Sequence, residues 1–469
     1  MTEKGAGIQF LVHFLQRANR GVAPLSLAAF RILFGIMTFV SSARFLHEGW
    51  VQPFFGEPSA FFHYMGFSWV VIPSPQVATA IFAVMMLLSA LIALGWLYRF
   101  AMPLFFVLFT YIELTDVTNY LNHYYLVSLL SFLMIWLPAN RTYSVDARIH
   151  GWKQEPIPAW CIWLLRWQVG LVYFFAAMAK LQGDWLLHGQ PLNIWLMAQS
   201  DFPVLGPLFV KHEIALFMSW LGFLNDLLIV PALLWSRTRI WAYAVVVSFH
   251  LLTGALFNIG MFPYIMIVSA TVFFPPHWPS RFLPKAPEGN SIPASASQSR
   301  HVLGGKWLSV VVLYCIIQAL IPLRSSLSTG PVIWHECGMR FSWKVKVREK
   351  NGSLSYKVTA PSIGTEVVSP EKYLTRRQAR EMATQPDLIL QLAHHIGEDF
   401  EGKGVNGVQV FADSFVSLNG RREKRLIDPK QDLMAVEDGF LCPDWIEQAP
   451  MEPPPRLNFE GNRRFKRRR

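Results

Sequence analysis

The stretch WCIWLLRWQVGLVYFFAAMAKL, residues 160–181, decides the fold. At about 1.5 Å per helical residue it is long enough to cross the ~30 Å hydrocarbon core of a bilayer. One cation, Arg166, lies inside it, and Lys180 stands at its end. Comparable apolar runs lie near 25–43, 77–97, 100–116, 122–138, 213–235, 240–257, 260–275 and 305–323. The expected fold class is therefore an all-α polytopic membrane bundle of about nine spans, followed by a smaller extracytoplasmic α+β domain. Composition points the same way. Of 469 residues, 52% are hydrophobic, 14% aromatic and only 16% charged, with a mean hydropathy of +0.30. Soluble domains carry roughly 25% charge, so an ordinary soluble enzyme, a disordered scaffold and a coiled coil are excluded.

The charges orient the chain. With the N-terminus in the cytoplasm, the inner loops hold about 13 Lys and Arg against about 3 in the short outer segments, the bias expected of cytoplasmic loops. An odd number of spans then puts everything after Leu323 outside (beyond the inner membrane if the source is bacterial). The net charge of +11 gathers partly in the tail, where Arg463, Arg464, Lys466, Arg467, Arg468 and Arg469 fall in the last seven positions. Such a distribution suits membrane topology and offers no nucleic-acid groove.

Four regions follow: an N-terminal amphipathic segment (1–24, with 8–15 lying at the membrane surface), the transmembrane domain (25–323), the α+β domain (324–450) and a basic, disordered tail (451–469). Residues 280–301, rich in Pro, Ser and Ala, read as a flexible inner loop. In the outer domain, Trp343, Val345 and Val347 alternate with Lys344, Lys346 and Arg348, predicting a strand. Asn351-Gly352 predicts the turn of a hairpin continued by Tyr356 and Val358. A helix is expected over 375–396, strained by Pro386, and a strand over 408–418. Cys161 and Cys315 read as core residues. Cys337 and Cys442 are free to pair if their domain lies outside the cytoplasm, and otherwise stay reduced. No zinc spacing or HExxH helix is present, so no metal is expected.

Polar groups at membrane depth are costly and mark candidate sites. Asn122, His123, Lys180, His250 and Asn258 come from separate hairpins yet fall in one leaflet, the one facing the outer domain. Each also has a structural explanation: Lys180 as a snorkelling anchor, the histidines as core residues bonded to carbonyls, Asn258 as a helix cap. The spans show no acidic relay, which weighs against a transporter.

Several motifs resemble a known family. Arg31-Ile32-Leu33-Phe34-Gly35, Asn122-His123-Tyr124-Tyr125-Leu126, Tyr143-Ser144-Val145-Asp146, the run Val172–Leu181 with Asp184-Trp185, and Phe249-His250 followed by 256–262 and Tyr264 are similar to the membrane domain of vitamin K-dependent gamma-carboxylases. Phe341-Ser342-Trp343 and Ile427-Asp428-Pro429 follow in the same order. The resemblance implies a membrane enzyme that oxidises vitamin K hydroquinone (or a menaquinol) with O₂ to the epoxide. The base formed in that step removes a γ-proton from a peptide glutamate, which takes up CO₂. Its partners would be an isoprenoid quinol from the bilayer and a glutamate-containing peptide.

The family's initiating lysine matches Lys180. Desolvation lowers an amine's proton affinity, so an unpaired Lys180 at an apolar edge would be a competent base. Asn122, His123, His250 and Asn258 are then expected to hold the quinone oxygens, and Phe341 and Trp343 the glutamyl-peptide side. Family carboxylases carry a histidine just before this span, where Pro156 or Ile157 stands here. That departure predicts weak carboxylation with epoxidation favoured, improved by a histidine at 156 or 157. The alternative is a non-catalytic scaffold of the same fold that binds lipid or a partner.

Overall fold

The computed structural model describes residues 3–282, 304–440 and 442–457. Most of the loop 280–301 and of the tail 451–469 lies outside the described residues. Residues 8–15 fall within helix α1 (Glu3–Ala18). Each of the nine apolar runs forms a helix: α2 (Leu25–His47), α3 (Pro75–Leu94), α4 (Tyr98–Leu114), α5 (Asn122–Trp136), α6 (Trp160–Lys180), α7 (His212–Leu234), α8 (Arg239–Phe257), α9 (Phe262–Ala270) and α10 (Gly305–Leu323). Six of these, α2, α3, α6, α7, α8 and α10, are long and apolar enough to cross a membrane.

Contacts at one end tie the shorter three into the bundle. Near the start of α4, the Tyr98 hydroxyl and Arg99 guanidinium donate to the carbonyls of Met134 and Ile135, at the end of α5. These two helices thus form a closed hairpin. Beyond α9 a 3₁₀ turn carries the chain to Pro276, whose carbonyl accepts from the Ser26 amide at the start of α2. Arg166 donates to the carbonyls of Val272 and Phe274 in the same turn. Satisfying backbone carbonyls that a broken helix leaves open accounts for this arginine. Two short strands, β1 (Gly21–Val22) and β2 (Ile157–Pro158), pair at this same end, which we call distal.

The C-terminal domain caps the other end. A sheet of order β4-β3-β5-β6, antiparallel throughout, is built from β3 (Lys350–Ala360), β4 (Gly364–Val368), β5 (Gln409–Leu418) and β6 (Lys424–Arg425). Tyr356, Val358, Val410, Ala412 and Val416 cover one face and pack in a single core with Leu388, Ile389, Leu392 and Ile396. Pro386 does not strain a single helix; it starts a new one. Helix α11 (Arg376–Met382) opens with a Thr375/Gln378 capping box, and α12 (Pro386–Gly402) has its proline in the first turn, where no amide partner is needed.

Two sequence expectations fail here. Residues 343–348 form no strand, and Asn351-Gly352 lies inside β3, opposite Ser417 and Val416. Gly352 is needed because a Cβ there would sit 2.9 Å from the Ala383 carbonyl, so glycine marks a close approach instead of a turn. The alternation at 343–348 has another cause. Trp343 and Val347 are buried, and Lys344, Lys346 and Arg348 face a cavity, from a backbone with positive φ at Phe341, Trp343 and Lys346.

The domain is fastened to the bundle by more than apolar contact. Arg421 makes a bidentate pair with Asp184, with contacts of 2.6 and 2.7 Å, and Asn419 donates to the same carboxylate at 2.7 Å. Burial works against the charge, but the bonds from Arg421 and Asn419 hold the Asp184 carboxyl below the usual range. Its stabilising contribution is complete above pH ~4 and is lost as pH falls through that lowered value. Arg421→Ala strands a mostly buried carboxylate and is expected to cost about 3 kcal/mol. Thermal unfolding of the purified protein at pH 7 reads that loss, and the wild-type/variant gap narrows in acid.

Candidate active site

A cavity of about 610 Å³ lies where the domain meets the bundle, within the ~300–1,000 Å³ range of small-molecule sites. Its bundle walls are the ends of α2 and α4, the start of α5 and the α8–α9 hinge, and its roof is the irregular segment 344–348 with Arg340. The hinge is made by two left-handed residues, Asn258 (φ 47°) and Gly260 (φ 59°), so Asn258 is a helix cap and a wall of the cavity at once.

Three of the expected residues meet in this cavity: Asn122, His123 and Asn258. Asn122 accepts from the Tyr120 hydroxyl at 3.0 Å. His123 is wedged between the rings of Tyr124 (4.6 Å) and Phe262 (5.6 Å), and its buried Nε2 has no partner among the described residues. A buried polar atom without a partner is costly, which makes this nitrogen an opening for a ligand.

The other four expected residues do not line it. His250 is buried behind Phe262, 5.3 Å between rings, with Nε2 3.1 Å from the Tyr173 hydroxyl. Phe341 packs among Tyr64, Tyr120 and Tyr125. Trp343 is 1% exposed and stacks on Tyr125 at 4.9 Å. Its place is in the core of the bundle, not on a peptide groove; the neighbouring Arg340 and Lys344 face the cavity instead.

Lys180 departs most from expectation. Its Nζ donates to Asp226 Oδ2 at 2.7 Å and to the Ala176 carbonyl at 3.2 Å, beside the Trp185 ring. The amine is desolvated as expected, but it is paired. It sits behind the cavity wall: two residues on, Gln182 donates to the carbonyl of Val347, which does line the cavity. The histidine argument also changes. Pro156 precedes the distal end of α6, and Lys180 closes the other end of this 21-residue helix, about 30 Å away. Pro156→His is therefore expected to leave carboxylation unchanged, measured as ¹⁴CO₂ incorporation.

Sequence reasoning missed Arg44, Glu113, Arg340 and Lys344, all in the cavity. Glu113 and Asp226 are acidic groups within the apolar helices that were not singled out as site candidates. The cost of charge at membrane depth would have flagged both. Burial lowers the affinity of the Lys344 amine for its proton, and no ion pair offsets this among the described residues. His335, Cys337 and Cys442 come within 4.8 Å of one another. The two sulfurs, however, form a disulfide, and the imidazole faces the Cys337 amide and the Gly330 carbonyl.

The HTTM domain family matches residues 19–278, and the lumenal domain of vitamin K-dependent gamma-carboxylase matches residues 305–452. The chain belongs to the vitamin K-dependent gamma-carboxylase family. No solved structure matches it. In this carboxylase-family membrane protein the junction between the two matched regions coincides with the cavity, so both contribute walls to one site.

Proposed function

We propose that the protein oxidises an isoprenoid hydroquinone, vitamin K or a menaquinol, with O₂ to the epoxide, and couples this to CO₂ uptake by a peptide glutamate. The observation that carries the reading is the cavity at the junction. Its bundle side is aromatic, with Phe109 and Phe262, and holds the unpartnered His123 Nε2 beside Asn122 and Asn258. Those groups fit a two-ring quinol with oxygens at opposite ends. The roof offers Lys344, a cation suited to a glutamate carboxylate; Arg340 beside it is already paired with Asp387. The reading places this domain on the extracytoplasmic face, supported by the loop charges and by the Cys337–Cys442 disulfide.

Within it, Lys180, the match to the family's initiating lysine, is the proposed base; Asp226 holds its Nζ at 2.7 Å behind the cavity wall, so a quinol hydroxyl has to reach past that wall for the amine to accept its hydrogen. The scaffold reading draws support from one fact, that Lys180 is ion-paired outside the cavity wall. Incubation of the purified protein with menaquinol and O₂, with and without a glutamate peptide, separates the two. Epoxide above the protein-free control is expected, and its absence favours the scaffold.

A further inference from the structure

We propose that the loop 65–71, between α2 and α3, is a lipid-embedded foot of the C-terminal domain, seated in the leaflet on the domain side. The inference rests on the spans crossing a bilayer and is independent of the quinol reading. From Pro58 to Tyr98 the chain carries no Asp, Glu, Lys or Arg. Within the loop every second residue, Met65, Phe67, Trp69 and Val71, is exposed, Trp69 at 71% and Val71 at 75%, while Val70 between them is buried. A contiguous apolar surface of this kind marks a contact with lipid or with protein.

The level of the loop selects lipid. The Tyr111 hydroxyl donates to the Val71 carbonyl at 2.7 Å. Tyr111 stands three residues inside the domain-side end of α4, about 4.5 Å along its axis. Helical side chains lean toward the helix N-terminus, which for α4 is toward the bilayer centre, so Val71 is drawn to the depth of the last turn of α4 or below it. Val107, one turn before Tyr111 on the same face, is itself exposed; the loop thus continues a lipid-facing surface. Its polar groups are met internally. The Phe67 amide donates to the Tyr64 carbonyl, the Val70 amide to that of Phe67, and Trp69 Nε1 to that of Gly66 at 3.2 Å, as non-helical backbone near lipid requires. The Phe67 and Trp69 rings lie 6.0 Å apart, and exposed tryptophan is favoured at headgroup level.

The residues just before the loop grip the C-terminal domain. Ser59 Oγ donates to the Tyr373 carbonyl at 2.6 Å, Gln378 Nε2 donates to that of Ala60 at 3.0 Å, and the Gln391 side chain bonds both backbone groups of His63 at 3.0 Å. Ala60, Phe62 and Tyr64 belong to the domain's own core. One continuous segment therefore holds the domain with its first half and the membrane with its second.

Spin labelling of the full chain in lipid nanodiscs tests this, in a Cys161→Ala/Cys315→Ala background that removes the free cysteines and keeps the Cys337–Cys442 disulfide. Nitroxides go on Trp69→Cys and Val71→Cys. Leu87→Cys, on the exposed face of α3, is the lipid reference, and Glu401→Cys, at the exposed end of α12, is the water reference. Collision with O₂, which concentrates in lipid, is compared with collision with a water-soluble nickel chelate. Both loop labels are expected to favour O₂ at least about threefold relative to the Glu401 label, as the Leu87 label does. Collision ratios equal to that at 401 would place the loop in water and overturn the proposal. Labels that neither reagent reaches would overturn it as well, because a partner protein or a second copy of the chain would then cover the loop.

Discussion

Lys180→Met is expected to lower quinol epoxidation by at least about 10³-fold, and the useful control is a second substitution. Alone, the variant leaves Asp226 buried without its cation in α7, at a cost of about 3–5 kcal/mol, so lost activity by itself would not separate chemistry from folding. In Lys180→Met/Asp226→Leu both charges are gone and apolar side chains occupy the site, an exchange that is often neutral or stabilising. We expect the double variant to regain thermal stability and remain inactive. Recovery of turnover in it would show that the pair only holds α6 to α7, where the ammonium and carboxylate meet at 2.7 Å. Asp226→Asn gives the complementary reading. A neutral amide in place of the carboxylate weakens the anchor that orients Nζ at 2.7 Å, and epoxidation is expected to fall, read as turnover beside thermal unfolding.

Trp343→Ala is expected to destabilise the protein by about 3–5 kcal/mol, the cost of emptying a large buried site. The indole belongs to the C-terminal segment but is buried in the apolar core of the bundle, stacked on Tyr125 of α5. It works as a plug that fixes the roof over the cavity. Lys344 and Arg340 flank it closely, so removing it should also blur their positions and weaken peptide-dependent turnover more than quinol oxidation. Thermal unfolding measures the first effect. Comparing epoxide yield with and without glutamate peptide measures the second. Full stability in the alanine variant would refute the packing role.

Most of the membrane domain was legible because lipid imposes a simple requirement: apolar residues in runs of sufficient length, with every backbone group satisfied within the helix. The nine runs all became helices, and loop polarity placed Asn122, His123 and Asn258 at one end, where the cavity gathers them. The α+β domain was legible where burial alternates on one sheet face, as over 409–418. The same alternation misled at 343–348. Period-two burial says only that successive side chains meet different surroundings; here Trp343 turns into the bundle core while the run 344–348 lines the cavity roof.

Helix placement and the shared level of the polar residues follow from local hydrophobicity and loop charge, properties each segment carries alone. Which ionisable groups meet does not. Lys180 and Asp226 are 46 residues apart and belong to different helices. Glu113 faces the cavity through the rotation of α4 against α5, and His250 is turned away behind one phenylalanine ring. Those choices depend on how helices pack side by side, where a turn of a few tens of degrees exchanges a cavity-facing residue for a buried one. Only the assembled tertiary structure settles them.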